Sequence, residues 1–244
     1  MLEILPSQMN DAAGHMALDY LLFQWMGKVE KGTGPARLRR FLWRDRAVTF
    51  GFSQKWSAVQ KEMEEMPGGG PHDICRRFTG GGVVPHGMDV TWALFLPKRL
   101  ELVEQPAPEI YCALHRVLCA VIGREEVVLW SGEKVCGSHE KKGRGPRPQC
   151  FSGPEPGDLI WEQTGQKVAG AAMKRGKQGL LWEGSLQASL WGPVDEEKLT
   201  ADFAAGVADL LGEEAQEKGF PDWDPGAEDE VANSLRDDSW NQRR

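Results

Sequence analysis

A run of three glycines close behind an arginine pair, within residues 75–86, constrains this chain more than any other segment. The glycines at 80–82 leave backbone N–H groups unscreened and free to adopt positive φ, so the main chain can approach a phosphate, carboxylate or thioester oxygen. Arg76 and Arg77 place fixed positive charge beside them. Apolar, strand-like stretches flank the segment, whereas a linker would carry serines and charges. The sequence therefore predicts a cradle for an anion or acyl group; a basic strand ending in a flexible turn is the alternative.

Length and composition predict a chain that folds on its own. It has 244 residues, of which 41% are hydrophobic, enough for the core of one large domain or two small ones. The formal charge is −7, and residues 213–244 account for −6 of it. Because the remainder is nearly neutral, the broad positive field of a nucleic-acid-binding protein is not expected.

The acidic segment at residues 213–244 is predicted to be separate from a folded catalytic domain at residues 1–212. It contains ten acidic and four basic side chains and shows little apolar periodicity. We therefore expect this tail to be poorly ordered, or packed loosely through Trp223 and Trp240 alone.

The chain is expected to be cytoplasmic. No apolar run is long enough to span a bilayer, and residues 1–6 lack the basic-then-apolar layout of a signal peptide. No membrane partner is therefore predicted. Five cysteines without regular spacing fit reduced thiols better than a disulfide framework.

Amphipathic helices are predicted where apolar stripes are bounded by capping residues. One begins after Asn10 or Asp11, another ends at Gly123, and a third begins at Asp195 and ends at Gly212. These residue types satisfy backbone groups that a helix leaves unpaired at its ends.

Strand-like runs are predicted to form two antiparallel arrangements. The runs at 40–43 and 47–50 predict a hairpin, and those at 158–161, 167–172 and 178–183 predict three consecutive antiparallel strands. Helices and strands alternate without a regular βαβ rhythm. The expected fold class is therefore α+β, with a mixed, largely antiparallel sheet flanked by helices.

Cys150 and Lys167 are candidate catalytic residues by their sequence context. Cys150 lies in a loop-like stretch, 147–154, whereas Cys112 and Cys119 fall on a predicted helix. The thiolate is the nucleophilic form, and a nearby cation lowers the pKa of a thiol. Lys167 can supply that cation from a strand of small residues, where another group can lie flat against the backbone. An inert Cys150 is the alternative, because most lone cysteines are unreactive.

A zinc site is the competing hypothesis for the cysteines. Cys136 and His139 are three positions apart, and Cys150 with Cys75 or His86 could complete a ligand set. The paired Cys-x-x-Cys spacing of structural zinc is absent from the sequence, so no metal site is predicted. The sequence also lacks a Gly-x-Ser-x-Gly elbow and a Walker-type loop, which leaves serine-hydrolase and P-loop interpretations without support.

Four segments match one protein superfamily in order and spacing, and the last two together are specific: Met16-Ala17-Leu18-Asp19, Phe50-Gly51-Phe52-Ser53-Gln54, Arg76-Arg77-Phe78-Thr79-Gly80-Gly81-Gly82-Val83-Val84-Pro85-His86, and Gly165-Gln166-Lys167-Val168-Ala169-Gly170-Ala171-Ala172. On these segments the chain resembles the superfamily of lipoate–protein ligases and octanoyltransferases, to which biotin–protein ligases are related. The resemblance covers roughly residues 10–211.

The resemblance implies an acyltransferase that needs no cofactor. Members of this superfamily attach an octanoyl or lipoyl group to one lysine of a lipoyl carrier domain in 2-oxoacid dehydrogenases, or of the H protein of the glycine cleavage system. One branch takes the octanoyl group from acyl-carrier protein, and uses a cysteine in a Cys-Phe pair before the lysine strand as its nucleophile. Cys150-Phe151 resembles that pair, which implies an acyl-thioester on Cys150.

Two alternatives remain within the same resemblance. Ligases of the superfamily activate free lipoate with ATP, and hence with Mg²⁺, and usually carry an Arg-Asn-Asp-type segment where this chain has Gly157-Asp158-Leu159-Ile160. An ATP-dependent lipoate– or biotin–protein ligase would use Lys167 without needing Cys150. A non-catalytic acyl-binding protein of the same fold is the alternative from another class.

The resemblance also implies roles for residues around the acyl group. Lys167 and backbone N–H groups would hold the oxyanion, and Lys134, in a second Gly-x-Lys-Val-x-Gly motif, fits this role less well. We expect Lys167 to be partly exposed, so that Lys167→Ala would slow acylation without unfolding the chain. The arginine that faces the site is not predicted, and the implied substrate-binding residues are Arg76, Arg77, Thr79, Gly80, Gly81, Gly82, His86, Gly170, Ala171 and Ala172.

Overall fold

A computed structural model describes residues 1–66, 73–132, 153–224 and 226–243, apart from the side chains of residues 189 and 191. Its strands are β1 (Leu2–Ile4), β2 (Gln8–Asn10), β3 (Ala36–Trp43), β4 (Ala47–Phe50), β5 (Asp73–Arg76), β6 (Val83–His86), β7 (Val90–Pro97), β8 (Val127–Leu129), β9 (Leu159–Trp161), β10 (Lys167–Gly176), β11 (Gly179–Leu186) and β12 (Ala215–Glu217). Its α-helices are α1 (Ala12–Lys28), α2 (Trp56–Glu64), α3 (Glu101–Glu104), α4 (Ala107–Ile122), α5 (Glu196–Leu211), α6 (Ala227–Arg236) and α7 (Asp238–Asn241).

Nine of the described strands form one main sheet, which is mixed and largely antiparallel, as predicted. Its order is β12, β1, β3, β7, β11, β10, β9, β8, and β2 pairs with β3 outside this path. The steps from β3 to β8 are antiparallel, whereas β1 runs parallel to β12 and β3. All eight residues of β7 are buried because other elements cover both faces of the sheet at its centre. The α+β fold class is confirmed.

Helices cover the two faces of the main sheet differently. On one face, α4 and α5 pack over a core that includes Trp92, Trp182 and Phe203. On the other face, α1 packs over a second core that includes Met16 and Phe95, and α6 packs against α1. Strands β5, β4 and β6 form a separate three-stranded sheet on this second side, which positions the site described below.

The predicted capping residues delimit the helices. The Asp11 and Asp195 carboxylates accept backbone N–H groups at the starts of α1 and α5, at 2.8 and 2.9 Å. Gly123 and Gly212 follow α4 and α5 with φ of 63° and 64°, the left-handed conformation that glycine adopts without strain. Across the described ranges, no helix is both long and apolar enough to cross a membrane.

The predicted hairpin between residues 40–43 and 47–50 is wrong. These runs are β3 and β4, but β3 pairs with β1, β2 and β7 of the main sheet. Strand β4 instead lies between β5 and β6 in a separate three-stranded sheet. The turn at Asp45-Arg46 therefore carries the chain from one sheet to the other, because distant strands supply better-matched partners than the neighbouring run does.

The C-terminal segment, expected at residues 213–244 to be poorly ordered or packed loosely through Trp223 and Trp240, meets the rest of the domain at three buried residues and through both tryptophans. Strand β12 extends the main sheet by pairing with β1. On α6, Ala232 and Leu235 are 2% and 3% exposed against α1, and Asn241 at the end of α7 is 6% exposed. Alanine and leucine three positions apart make one apolar helix stripe. The surrounding acidic side chains hide this short stripe from an argument based on composition.

Candidate active site

Lys167, the first residue of β10, forms a buried ion pair with Asp158. Its Nζ lies 2.8 Å from Asp158 Oδ2, and the two side chains are 3% and 0% exposed. Asp158 Oδ2 also accepts the Glu155 backbone N–H at 2.6 Å. The expectation that Lys167 is partly exposed is therefore wrong, because the turn before β9 folds its carboxylate over the ammonium.

Tyr111 of α4 and Gly170 of β10 hold this ion pair in place. The Tyr111 hydroxyl donates to Asp158 Oδ1 at 2.5 Å and accepts the Ala171 backbone N–H at 2.8 Å. A Cβ atom at Gly170 would collide with Lys167 Cε and Nζ, so the lysine lies directly against the strand backbone. Glycine suits position 170 because the Lys167 side chain approaches the strand closely there, and not because the backbone adopts a positive φ.

His115 lies behind the ion pair as a neutral imidazole. Its ring is in edge contact with Tyr111, with centroids 4.2 Å apart. Burial, and then the charge of Lys167, lower the pKa of His115 from 6.5 to about 3. Near neutral pH, Lys167 is therefore not opposed by a second positive charge at this position.

Arg77 organises the glycine loop, residues 79–82. Its guanidinium donates to the carbonyl oxygens of Gly80 and Gly82 at 2.9 and 3.1 Å, and to Thr49 Oγ1 at 2.8 Å. Gly81 has a φ of 90°, which favours glycine. Because these two carbonyl groups point at Arg77, this side chain fixes the peptide planes that follow Gly80 and Gly82, while Gln54 Nε2 donates to the Gly81 carbonyl oxygen at 3.0 Å.

Arg76 points the other way and lines neither of the pockets described below. It donates to the carbonyl oxygens of Phe52 and Gln54 at 2.9 and 2.7 Å, and to those of Trp240 and Asn241. We call Arg76, the turn at 52–54 and α7 the C-terminal clamp. Adjacent residues of an extended chain project to opposite sides, which explains why Arg76 and Arg77 have separate surroundings.

Two carboxyl groups lie beneath the glycine loop. Thr79 Oγ1 donates to Glu183 Oε2, which attaches the loop to β11. Glu183 also hydrogen-bonds Asp19, which accepts from Arg39 Nε at 2.7 Å. Burial first, and the neighbouring Glu183 next, raise the pKa of Asp19 above its usual range despite the opposing charge of Arg39. A protonated Asp19 can donate a hydrogen bond to Glu183.

His86 belongs to a buried network that joins the two sheets. Its Nε2 is 2.7 Å from Thr49 Oγ1 and its Nδ1 is 2.9 Å from Asp89 Oδ2. Burial alone would raise the pKa of Asp89, but the His86 charge and hydrogen bonds from Ser185 and other groups lower it below its usual value. The His86 ring stacks on Trp43 of β3, with centroids 4.2 Å apart.

These residues surround two pockets that meet at Ala171 and Ala172. The inner pocket, a cavity of about 30 Å³, lies between the main sheet and the three-stranded sheet and is bounded by Met16, Phe41, Trp43, His86, Arg77 and Gly170. The outer pocket, about 430 Å³ and open, is lined by the glycines at 80–82, Tyr111, Gly153, Asp158 and Lys167. Ala171 and Ala172 line both. The arrangement offers a narrow apolar cleft beside an accessible, charged mouth.

Most of the predicted substrate-binding residues come together around these pockets. Arg77, His86 and Gly170 line the inner pocket, the three glycines of the loop line the outer one, and Ala171 and Ala172 line both. Thr79 contacts the site through Glu183. Arg76 is the exception, since its guanidinium is occupied in the C-terminal clamp.

Several residues considered in the sequence analysis lie outside the described ranges, namely Cys150, Lys134, Cys136 and His139. Of the cysteines that are described, Cys75 is fully buried, and burial raises the pKa of its thiol. Within the described ranges, no three His, Cys, Asp or Glu side chains are placed to hold a metal ion.

Sequence reasoning missed Tyr111, Thr49 and Glu183. Tyr111 lies 47 positions before Asp158 in the chain, and Glu183 lies 104 positions after Thr79. No local pattern connects these pairs. Asp158 precedes the lysine strand in the sequence, but only the turn before β9 brings its carboxylate to Lys167.

The profile of the lipoyl protein ligase A/B catalytic domain family matches residues 11–190. The match includes the strands and helices that form both pockets and ends before α5. The chain therefore belongs to this family.

Curated relatives with similar sequences are octanoyltransferases. Octanoyltransferase LipM of Oceanobacillus iheyensis is 28% identical over 183 residues, which cover 74% of this chain and 62% of the relative. Octanoyltransferase LipM of Halalkalibacterium halodurans is 30% identical over 194 residues, which cover 78% and 65%. The chain thus spans slightly less than two thirds of the length of these two relatives.

Solved structures with the same fold are ligases. Lipoate-protein ligase A bound with ATP superimposes with a TM-score of 0.65 at 15% identity, over 99% of each chain. A bipartite lipoate protein ligase from Thermoplasma acidophilum gives 0.64 at 14% identity, over 98% of this chain and 95% of that one. At such low identity, the likeness establishes the fold alone.

Proposed function

We propose that this protein is an acyltransferase that moves an octanoyl or lipoyl group from acyl-carrier protein to a lysine of a lipoyl carrier domain, through a thioester on Cys150. The relatives named octanoyltransferase LipM support this activity. The acceptor is proposed to be a lipoyl domain of a 2-oxoacid dehydrogenase or the H protein of the glycine cleavage system.

The observation that carries the proposal is that the Lys167–Asp158 ion pair lines the outer pocket and lies against Gly170, which lines the inner one. Gly153 lines the same outer pocket. Cys150 precedes Gly153 by three positions, so the chain allows a separation of at most about 10 Å between them. A nucleophile that can reach the pocket lined by a buried ammonium would suit thiolate chemistry.

In the first half-reaction, the Cys150 thiolate attacks the carbonyl carbon of the acyl-carrier-protein thioester. A carbon–sulfur bond to Cys150 forms, the oxyanion is held by Lys167 and backbone N–H groups, and the carrier thiolate leaves and takes up a proton. One thioester replaces another, so this step is nearly balanced in free energy.

In the second half-reaction, the neutral amine of the acceptor lysine attacks the acyl carbon on Cys150. The new carbon–nitrogen bond forms, the nitrogen loses a proton, and the Cys150 thiolate leaves. Because an amide is more stable than a thioester, this step drives the transfer forward. Lys167 can hold the oxyanion of both steps, since both pass through the same carbon.

The surrounding residues are proposed to bind the acyl chain and its carbonyl end. The inner pocket would take the hydrocarbon chain, because the side chains that line it expose almost only apolar surface. The glycine loop, fixed by Arg77, would offer backbone N–H groups at the outer pocket. No cofactor is needed for this chemistry.

An intact-mass measurement tests the proposal. The protein is incubated with octanoyl-acyl-carrier protein in the absence of ATP, and its mass is recorded before and after a lipoyl domain is added. We expect one octanoyl adduct that disappears when the lipoyl domain gains the same mass. Cys150→Ser should abolish the adduct, whereas Cys112→Ser, a half-buried cysteine on α4, should leave it unchanged.

Transfer that requires ATP and Mg²⁺ and survives Cys150→Ser would contradict the proposal and support a lipoate– or biotin–protein ligase that uses Lys167. The match to a family named for lipoyl protein ligases makes this the second candidate. Bound fatty acid without transfer to any lipoyl domain would instead indicate a non-catalytic acyl-binding protein.

A further inference from the structure

Thr49 of β4 lies between the two outer strands of the three-stranded sheet. It pairs with Cys75 of β5 on one side and with Val84 of β6 on the other. Its hydroxyl oxygen is 2.8 Å from Nη1 of Arg77, just beyond β5, and 2.7 Å from Nε2 of His86, at the end of β6. Thr49 is 1% exposed and lines the inner pocket. One buried hydroxyl therefore connects side chains from both outer strands.

The chemistry of the neighbouring groups gives these hydrogen bonds a direction. A guanidinium can only donate, so Thr49 Oγ1 accepts from Arg77 and keeps its own proton for another acceptor. His86 Nδ1 lies 2.9 Å from Asp89 Oδ2, an oxygen that also accepts from the Ser185 hydroxyl at 2.5 Å. Because an ionised carboxylate only accepts, His86 carries a proton on Nδ1. Nε2 of the neutral ring is then an acceptor, and it takes the Thr49 proton.

Hydrogen bonds thus run in one direction along a row of four side chains, namely Arg77, Thr49, His86 and Asp89. The other terminal nitrogen of Arg77, Nη2, donates to the carbonyl oxygens of Gly80 and Gly82. Because the guanidinium is planar and rigid, holding Nη1 at Thr49 also sets the direction of Nη2. The position of the Thr49 hydroxyl is therefore transmitted to the glycine loop.

The row also sets which way one peptide of the loop points. In a trans peptide, the C=O and the N–H that follows it point in opposite directions. The Gly80 carbonyl faces Arg77, so the N–H of Gly81 is turned away from the guanidinium. Gly81 lines the outer pocket, which makes this N–H a candidate donor to a ligand bound there.

A competing acceptor lies close to Arg77. Glu183 Oε2 is 4.0 Å from Arg77 Nε and accepts the Thr79 hydroxyl. A carboxylate attracts a guanidinium more strongly than a hydroxyl does. If Thr49 no longer accepted from Nη1, we expect Arg77 to move toward Glu183 and the two loop carbonyl groups to lose their alignment. Thr49 therefore holds Arg77 in place against this attraction.

We propose that Thr49 is a positioning residue for acyl transfer: its hydroxyl, directed by His86 and Asp89, orients Arg77 and, through Arg77, the glycine loop at the outer pocket. This inference rests on the proposed function, because it takes the loop as a source of N–H groups for the oxyanion. Thr49 acts through Arg77 and takes no part in bond formation or proton transfer.

The expected effect distinguishes Thr49→Val from Thr49→Ser. Valine has nearly the shape of threonine but offers no acceptor to Arg77, so the glycine loop loses its orientation. Acylation by octanoyl-acyl-carrier protein should slow by about 10²-fold, the effect that a displacement of about 1 Å can have. The loss should appear in kcat with KM close to wild type, because the loop acts on developing charge rather than on substrate binding. Serine keeps the hydroxyl and should restore most of the rate.

Acylation kinetics and urea denaturation, measured on each variant, test the inference. Thr200→Val is the matched control, because the Thr200 hydroxyl on α5 is also buried and accepts the Trp92 indole N–H at 3.0 Å, but lines neither the inner nor the outer pocket. It should lower stability without slowing acylation by the folded protein. A Thr49→Val variant that loses stability but keeps the wild-type kcat would overturn the inference, because Thr49 would then act on the fold alone.

A direct readout of the loop separates failure of this inference from failure of the proposed function. In an amide ¹H–¹⁵N NMR spectrum, the Gly81 signal should shift in Thr49→Val and return close to its wild-type position in Thr49→Ser. The same pattern in a protein that transfers no acyl group would support the positioning role while the proposed function fails. An unchanged Gly81 signal in Thr49→Val would contradict the positioning role, whether or not transfer occurs.

If Thr49→Val does not fold, His86→Phe replaces it. Phenylalanine keeps a ring that can stack on Trp43 but cannot accept the Thr49 proton. The Thr49 hydroxyl then loses its direction, so the Gly81 signal should shift and acylation should slow, as in Thr49→Val. A wild-type signal and a wild-type rate in His86→Phe would overturn the inference.

Discussion

The C-terminal clamp and the outer pocket each bury a cation, but the two cations have different surroundings. In the clamp, Arg76 is fully buried and meets four backbone carbonyl oxygens from the turn at 52–54 and from α7. In the outer pocket, Lys167 meets the carboxylate of Asp158 and borders open volume. Arg76 satisfies buried carbonyl oxygens that would otherwise lack a donor, whereas Lys167 lines an open pocket.

This difference shows that burial and charge alone do not identify a functional residue. A guanidinium surrounded by main-chain acceptors contributes to stability, because its removal leaves several carbonyl groups without a donor. An ammonium held against a carboxylate at a pocket can change its interactions as charge develops on a substrate. We therefore expect substitution of Lys167 to lower mainly the acylation rate, and substitution of Arg76 to lower mainly the free energy of unfolding.

The largest expected effect is on catalysis in the outer pocket. Lys167→Met should slow acylation of Cys150 by about 10²- to 10³-fold, the usual cost of removing one oxyanion donor. The rate can be measured by quenched-flow mass spectrometry with octanoyl-acyl-carrier protein. The substitution also leaves the buried Asp158 carboxylate without its lysine, so some loss of stability is expected.

A double variant separates the two consequences of losing Lys167. In Lys167→Met/Asp158→Asn both buried charges are gone, so stability should recover toward wild type while acylation stays slow. Recovery of acylation together with stability would show that Lys167 acts only on the fold, and would remove the contrast between the two regions.

The clamp should show the opposite response. Arg76→Met should lower the free energy of unfolding by about 2–4 kcal/mol, because buried carbonyl groups lose their donors. The acylation rate per folded molecule should stay near wild type. Urea denaturation with a parallel activity assay measures both. Arg175→Met is the matched control, since Arg175 donates to the Gln105 carbonyl oxygen at an exposed site. A stable Arg76→Met variant that no longer forms acyl-enzyme would reverse the assignment.

A smaller effect is expected from His115 behind Lys167. The pKa of His115 is about 3 in the folded chain and 6.5 when exposed, so the unfolded state binds a proton that the folded state does not between these values. Stability is therefore lost as pH falls below 6.5, by about 1.4 kcal/mol per pH unit.

His115→Phe should remove this contribution. Between pH 7 and pH 5 the variant should lose about 2 kcal/mol less stability than the wild type, as measured by urea denaturation at both values. His15, whose pKa burial and Arg39 lower to about 2, remains in both proteins and provides the common background. Equal losses in variant and wild type would mean that His115 is not buried as a neutral ring.

Local sequence signals predicted the helices well and the sheet partners poorly. Asp11, Asp195 and Gly123 bound their helices because a cap acts on backbone groups within one turn. Strands β9, β10 and β11 also paired as predicted, because the short turns at 164–165 and 177 bring consecutive strands together. The hairpin at 40–50 failed because β3 and β4 each find partners far away in the chain.

The sequence predicted the motifs of the candidate site, but not how their residues are arranged in space. The glycine loop, Lys167 and Gly170 carry patterns that the chain displays locally. The choice between Arg76 and Arg77 depends on which side of the strand meets α7, and no local pattern contains that information. Tyr111 and Glu183 enter only because α4 and β11 pack against distant segments.

The central claim, that Lys167 and Cys150 act as a pair, is tested most directly by the pKa of the Cys150 thiol. Alkylation of Cys150 by iodoacetamide is followed by peptide mass spectrometry across a pH series, in wild type and in Lys167→Met. A nearby ammonium should lower the thiol pKa by about 1–3 units. We therefore predict an alkylation midpoint in the wild type that is lower than in the variant by at least one unit. Equal midpoints in the two proteins would contradict the account.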